Sequence, residues 1–269
     1  MRRLLLSLVL ASAASPAWSG GFEIRRGLVY SRACGEALTL DAYVPEGRGP
    51  FPAVLVIHGG GWSARRPGDM AGIARTLARR GFVALNVVYR LAPENRYPAA
   101  VDDVREALRW ARREHAALKL DPARVGAWGH SAGAHLAAML GVESGEDLEA
   151  ADRVQAVVAG GIPAVFELWP KSPIVTPFIG HTFAEDPGLW REASPITHVT
   201  PDDAPFFLYH GTKDTLVEPA QAERMAAALS KAGVRHELFL VKGRGHVGAF
   251  VFDRGASDKA MSFLDATLR

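Results

Sequence analysis

From Phe51 to Val241 the chain repeats one alternation: apolar runs at Phe51 to Ile57, Phe82 to Val88, Arg124 to Trp128, Val154 to Ala159, Pro205 to Tyr209 and Arg235 to Val241, with helix-like segments between most of them. Those segments run over Gly68 to Arg80, Pro98 to His115, Ala134 to Gly141 and about Glu218 to Ala232. A strand that is apolar along both faces has no side to turn to water, so it must lie in a sheet covered above and below. Strands joined through helices run parallel. The expected class is therefore α/β, a mostly parallel central sheet with helices on both faces. Ahead of it, Phe22 to Ser31 and Ala37 to Val44 alternate polar and apolar residues about a turn at Ala33-Cys34-Gly35, the pattern of an antiparallel hairpin. No internal repeat or low-complexity linker interrupts residues 20–269, which reads as one domain.

Within that alternation the pentapeptide Gly129-His130-Ser131-Ala132-Gly133 falls between the run Arg124 to Trp128 and the helical segment of small residues. A strand, a sharp turn and a helix would present the serine hydroxyl at the top of the sheet, with glycine on either side because a Cβ there would clash. A serine hydroxyl is a poor nucleophile alone and needs a base, which in turn needs an orienting acid. In this architecture the acid follows a later strand and the histidine follows the last one. The run Pro205 to Tyr209 leads into His210-Gly211-Thr212-Lys213-Asp214, and Arg235 to Val241 leads into Lys242-Gly243-Arg244-Gly245-His246. Ser131, Asp214 and His246 are thus the candidate catalytic residues: His246 takes the Ser131 proton and returns one to the leaving group, and Asp214 fixes the imidazole. Asp202 and Asp203 precede their strand and fall at the opposite edge, while Glu218 reads as a first-turn helix residue.

Negative charge developing on a substrate carbonyl oxygen needs donors. His58-Gly59-Gly60-Gly61-Trp62 follows the strand Ala53 to Ile57, and its glycines let backbone N–H groups approach closely. The candidate oxyanion hole is formed by the amides of Gly60, Gly61 and Ala132, with His58 anchoring the loop. Asp102 or Asp103, together with Arg90, is expected to brace the neighbouring segment by charge-assisted hydrogen bonds. Residues 160–203 carry seven prolines and the aromatic residues Phe166, Trp169, Phe178, Phe183 and Trp190, and are the candidate pocket wall.

Composition narrows the rest. Lys plus Arg number 31 against 29 Asp plus Glu, with no basic block, so nucleic acid is not an expected partner. The nine histidines show no H-E-x-x-H spacing, and His130 and His135 stand too far apart along a helix to share a metal, so neither metal nor cofactor is expected. Met1-Arg2-Arg3, the apolar stretch Leu4 to Ala14 and Ala17-Trp18-Ser19 read as a signal peptide over 1–19, implying a periplasmic or secreted protein. Its apolar core is shorter than the roughly 20 residues that span a bilayer, so no stable membrane anchor is expected. Cys34 is the single cysteine, which precludes an internal disulfide.

Together, His58-Gly59-Gly60-Gly61-Trp62, Tyr89-Arg90-Leu91-Ala92-Pro93-Glu94, the pentapeptide, His210 to Asp214 and Gly245-His246 resemble the α/β-hydrolase superfamily, in its hormone-sensitive-lipase-like carboxylesterase branch. Ala134-His135-Leu136-Ala137 is similar to the bacterial feruloyl and acetylxylan esterase-like subgroup. The resemblance implies an α/β-hydrolase fold without a large cap domain, and a serine esterase acting on a small-molecule or polysaccharide-linked ester. Two further readings stay open: an amide hydrolase, kynurenine formamidase-like or peptidase-like, using the same triad, and a non-catalytic binding protein on a hydrolase scaffold. Oligomeric state is not legible in the sequence.

Overall fold

The computed structural model describes residues 20–33, 35–64, 66–142, 152–251 and 253–269. The proposed signal peptide and Cys34 lie outside them. Strands β1 (Phe22–Ala33) and β2 (Glu36–Pro45) form the antiparallel hairpin, and β2 pairs antiparallel with β4 (Val83–Val87). The remaining pairs are parallel, through β3 (Phe51–Ile57), β5 (Leu120–His130), β6 (Val157–Gly160), β7 (Phe206–Gly211) and β8 (His236–Val241). The sheet order is β1-β2-β4-β3-β5-β6-β7-β8.

The side chains of β3, β4 and β7 are buried almost throughout, as the continuous apolar runs require. Helices α1 (Pro67–Arg79) and α9 (Arg254–Leu268) cover one face, where Met70, Leu77, Met261 and Leu264 pack on Val54, Val56 and Trp128. Helices α2 (Ala99–Arg113), α4 (Ala132–Val142) and α7 (Ala220–Ala232) cover the other. Every residue of α4 is buried, and its alanines and glycines let it lie close against the sheet. Burial of this kind contributes about 25 cal/mol per Å2 of apolar surface removed from water.

Three boundaries depart from the sequence pattern. β5 begins at Leu120, which pairs with Phe51 ahead of a register irregularity, although Asp121 and Pro122 break the apolar run. α2 stops at Arg113, and a short α3 (His115–Leu118) follows, ending at Lys119 in the left-handed region. α7 starts at Ala220, so Glu218 precedes the helix and its carbonyl accepts the Gln221 N–H. Among the described residues no helix is long and apolar enough to cross a membrane.

The register brings the ends of the parallel strands level: Ile57 pairs with Gly129, His130 with Gly160, Gly160 with Tyr209, and Gly211 with Val241. The loops after β3, β5, β6, β7 and β8 therefore emerge along one edge, the carboxyl edge at which open α/β sheets bind ligands.

Candidate active site

Ser131 stands at the end of β5 with φ 56°, a left-handed backbone that a β-carbon makes strained, and its N–H donates to Gly160 O at 2.8 Å. The turn needs glycine beside it. A Cβ at Gly133 would lie 2.1 Å from Ile57 O, and one at Gly129 would lie 2.0 Å from Gly133 O. The next residue, Ala132, opens α4, where the first N–H groups of the helix have no intrahelical acceptor.

The glycine loop is pressed against this turn, since a Cβ at Gly59 would fall 2.8 Å from His130 O. Gly60, Gly61 and Trp62 take φ of 111°, 59° and 57°, and Gly60 O closes the turn by accepting the N–H groups of Ser63 and Ala64. Among the described residues, the N–H groups of Gly60, Gly61 and Ala132 donate to no protein acceptor. His58 is fully buried, stacks on Tyr89 at 4.4 Å and has Nδ1 2.7 Å from Gly59 O. Tyr89 Oη donates to His58 O at 3.0 Å. Next to it, the Arg90 N–H and guanidinium donate to Asp103 at 2.8 and 2.9 Å. Asp103, of the two aspartates considered, is the one that braces this segment, while Asp102 pairs with Arg105 at the surface.

Asp214 is buried in the turn after β7. Its Oδ1 accepts the N–H groups of Leu216 and Val217 at 3.0 and 2.9 Å, and its Oδ2 accepts from His246 Nδ1 at 2.6 Å. His210 Nε2 lies 3.3 Å from the same Oδ2 and donates to Val217 O at 2.7 Å. Burial opposes ionisation of Asp214, but hydrogen bonds from His210, His246 and Val217 outweigh it and hold the carboxyl well below the usual carboxylate range. With Nδ1–H committed to Asp214, the lone pair of His246 is on Nε2. That atom is buried and has no hydrogen-bond partner among the described residues, including Ser131 Oγ. Contacts of this kind are commonly long until substrate is bound. Behind His246 stands His130, 4.7 Å away ring to ring and stacked on Phe250 at 4.5 Å. Burial, then the charge of His246, pushes His130 well below the ordinary histidine value, so it is a neutral wall.

Ser131 opens onto two cavities. One, of about 560 Å3, is walled by Trp62, Pro163, Leu168, Trp169, Pro170 and Val217. The other, of about 640 Å3, is walled by Ala64, Met70, His130, His246, Val247 and Phe250. Gly61, Ile174 and Leu216 line both, so they stand where the two meet beside Ser131. Of the aromatic residues in 160–203, Trp169 faces the first cavity. Phe166, Phe178 and Trp190 are fully buried and pack the segment onto the body, and Phe183 lies against Trp190 at 5.9 Å.

The structure thus brings Ser131, His246 and Asp214 to one edge, with Gly60, Gly61 and Ala132 beside Ser131. Asp202, Asp203 and Glu218 are not part of this cluster; Asp203 instead accepts from Thr200. Sequence reasoning did not single out His210 as a second donor to Asp214, nor Leu216 and Val217 as cavity walls. Their position within four residues of Asp214 was the available signal. It also missed His135, whose ring is buried between the glycine loop and the 160–203 segment. Among the described residues no group of three His, Cys, Asp or Glu side chains is placed to hold a metal ion.

An open, mostly parallel eight-stranded sheet with this edge defines an α/β-hydrolase fold. The chain belongs to the BD-FAE family, whose model matches residues 40–229. It is 31% identical to "Esterase LipQ" of Mycobacterium tuberculosis over 68% of this chain and 46% of that protein, and 30% identical to "Esterase LipC" of the same organism over 73% and 53%. The chain spans about half the length of these curated relatives. Among solved structures, a truncated carbohydrate esterase from gut microbiota superposes with a TM-score of 0.81 at 26% identity, covering 94% of this chain and 98% of that one. A thermophilic esterase of Thermogutta terrifontis gives a TM-score of 0.72 at 27% identity, covering 91% and 90%.

Proposed function

We propose that the protein is a serine carboxylester hydrolase that works through an acyl-enzyme. The observation that carries this reading is the 2.6 Å contact of His246 Nδ1 with Asp214, on an imidazole that shares a cavity with Ser131. In the proposed mechanism His246 Nε2 takes the hydroxyl proton as Ser131 Oγ attacks the ester carbonyl carbon. The oxygen, now negative, is held by the amides of Gly60, Gly61 and Ala132, aided by the positive end of α4. When the tetrahedral intermediate collapses, the carbon–oxygen bond to the alcohol breaks and His246 returns the proton to the leaving alkoxide. Water then attacks the acyl-enzyme by the same route, giving the acid and free Ser131. Asp214 stays ionised throughout and holds the imidazole in the Nδ1–H tautomer. These roles use no metal and no cofactor.

The relatives are named esterases, and one structural neighbour is titled a carbohydrate esterase, which supports an ester as substrate. The mostly apolar cavity walled by Trp62 and Trp169 favours a short or aromatic acyl group, and the second cavity, which Arg66 and Asp69 also line, leaves room for a polar alcohol part on a small molecule or a polysaccharide. The test is kcat/KM for p-nitrophenyl acetate and methyl ferulate, with Ser131→Ala as blank. Turnover of either above the blank is expected, and preference for ferulate would place an aromatic acyl group against Trp169. Turnover of neither would refute the esterase reading and bring amide substrates forward. We also propose that residues 1–19 direct export and that 20–269 is the catalytic domain; N-terminal sequencing of protein from a bacterial host should find a chain beginning near Gly20, and an intact Met1 would refute it.

A further inference from the structure

One buried group outside the triad links the three pieces on which the proposed chemistry depends. His135 lies on α4 one turn after Ser131, and its N–H donates to Ser131 O at 3.1 Å. Its ring is fully buried. On one side Nε2 donates to Ala193 O, in the 160–203 segment, at 2.8 Å; on the other, Trp62 Nε1–H donates to Nδ1 at 3.3 Å. These two partners are compatible with only one form of the imidazole, neutral and protonated on Nε2, because Ala193 O requires a donor and Trp62 Nε1–H an acceptor. Phe166 stacks on the ring at 5.1 Å, and the edges of Trp62 and Phe178 close the cage at 5.2 and 5.6 Å. Trp62 directly follows Gly60 and Gly61, and its own φ of 57° is one that a tryptophan holds only under constraint. The stack of Trp62 on Phe178, at 4.5 Å and 13°, and the hydrogen bond to His135 supply that constraint.

We propose that His135 is a positioning residue: through Trp62 it fixes the Gly60 and Gly61 amides relative to Ser131, so that the hole for the developing oxyanion is formed before substrate arrives. This rests on the proposed role of those amides. A hole displaced by a fraction of an ångström still admits the ester but binds the transition state less well, so the effect falls on kcat and spares KM.

The test compares Trp62→Phe, which keeps an aromatic ring against Phe178 but removes the N–H together with part of the indole's volume, with His135→Leu and with the double variant, on p-nitrophenyl acetate. Far-ultraviolet circular dichroism and the urea unfolding midpoint serve as the check of folding. Each single variant should lower kcat by about 10- to 100-fold with KM within about twofold of the parent. The double variant should be no slower than the worse single one, because both remove the same contact. If His135→Leu does not fold, Trp62→Phe alone decides. Folded variants with unchanged kcat, a change confined to KM, or losses that multiply in the double variant would overturn the inference. Ser131→Ala is measured beside them: if it turns over like the parent, the proposed function itself has failed, whereas an inactive Ser131→Ala with a fully active Trp62→Phe rejects only the role of His135.

Discussion

Replacing Asp214 by Asn exchanges one carboxylate oxygen for an NH2 of nearly the same size and changes almost everything in hydrogen bonding. The carboxylate accepts at both oxygens, from the Leu216 and Val217 N–H groups at Oδ1 and from His246 and His210 at Oδ2. An amide has one accepting oxygen. If it faces the two backbone donors, its NH2 meets the His246 Nδ1–H, and donor meets donor. Relief comes when His246 moves its proton to Nε2, which presents Nδ1 to the amide but leaves no lone pair for the Ser131 proton. If the amide turns the other way, the imidazole keeps its tautomer, but two backbone N–H groups in a buried turn are left facing an NH2, at about 1 to 3 kcal/mol each. The first arrangement is the less costly, so the folded variant should carry the wrong tautomer. The expected loss in kcat on p-nitrophenyl acetate is about 10,000-fold, or roughly 5 kcal/mol of barrier. The same variant should retain its fold by circular dichroism and bind substrate with little change in KM. Retention of more than a tenth of the parent kcat would refute the assignment of Asp214 as the orienting acid.

Further outcomes follow from the packing and the buried charges. Gly133→Ala should lower stability by about 3 kcal/mol or more in urea denaturation, since the new methyl group meets Ile57 O and His58 O, whereas Gly72→Ala on the exposed face of α1, with nothing within 4 Å, should raise it by about 0.5 to 1 kcal/mol; equal effects would contradict the close approach of the elbow to β3. Arg90→Ala strands the buried Asp103 and should cost about 3 to 5 kcal/mol, measured the same way, with a cost below 1 kcal/mol arguing that the pair braces nothing. Burial pushes His135 down to about 4 from 6.5, so between those values the unfolded chain holds a proton that the folded one refuses. The stability this gives is complete above pH 6.5 and is lost as pH falls through the window, by at most about 3 kcal/mol. His135→Gln should therefore lose less stability than the parent between pH 7 and pH 4.5, and parallel losses would reject a neutral buried imidazole.

Much of this arrangement was legible in the sequence because a parallel sheet writes itself as apolar runs, and because the turn at Ser131 tolerates little but glycine on either side. Position along the sheet then singled out Asp214 and His246 among many carboxylates and nine histidines. What was illegible was set by tertiary context. The start of β5 was hidden by Asp121 and Pro122, which sit in the strand's exposed first half. Trp169 facing a cavity and Phe166, Phe178 and Trp190 packing beneath it look alike as residues, and only the path of 160–203 separates them. His135 and His210 stand inside motifs that the sequence shows, but their roles were not legible there, since each acts through a partner distant in the chain or through a backbone atom.

The central claim is that Ser131 is the nucleophile. Treating the protein with a p-nitrophenyl phosphonate and mapping the adduct by mass spectrometry tests it directly. A single adduct on the peptide carrying Ser131, formed in step with loss of esterase activity, is predicted. An adduct on another residue, or inactivation with Ser131 unmodified, would contradict the account.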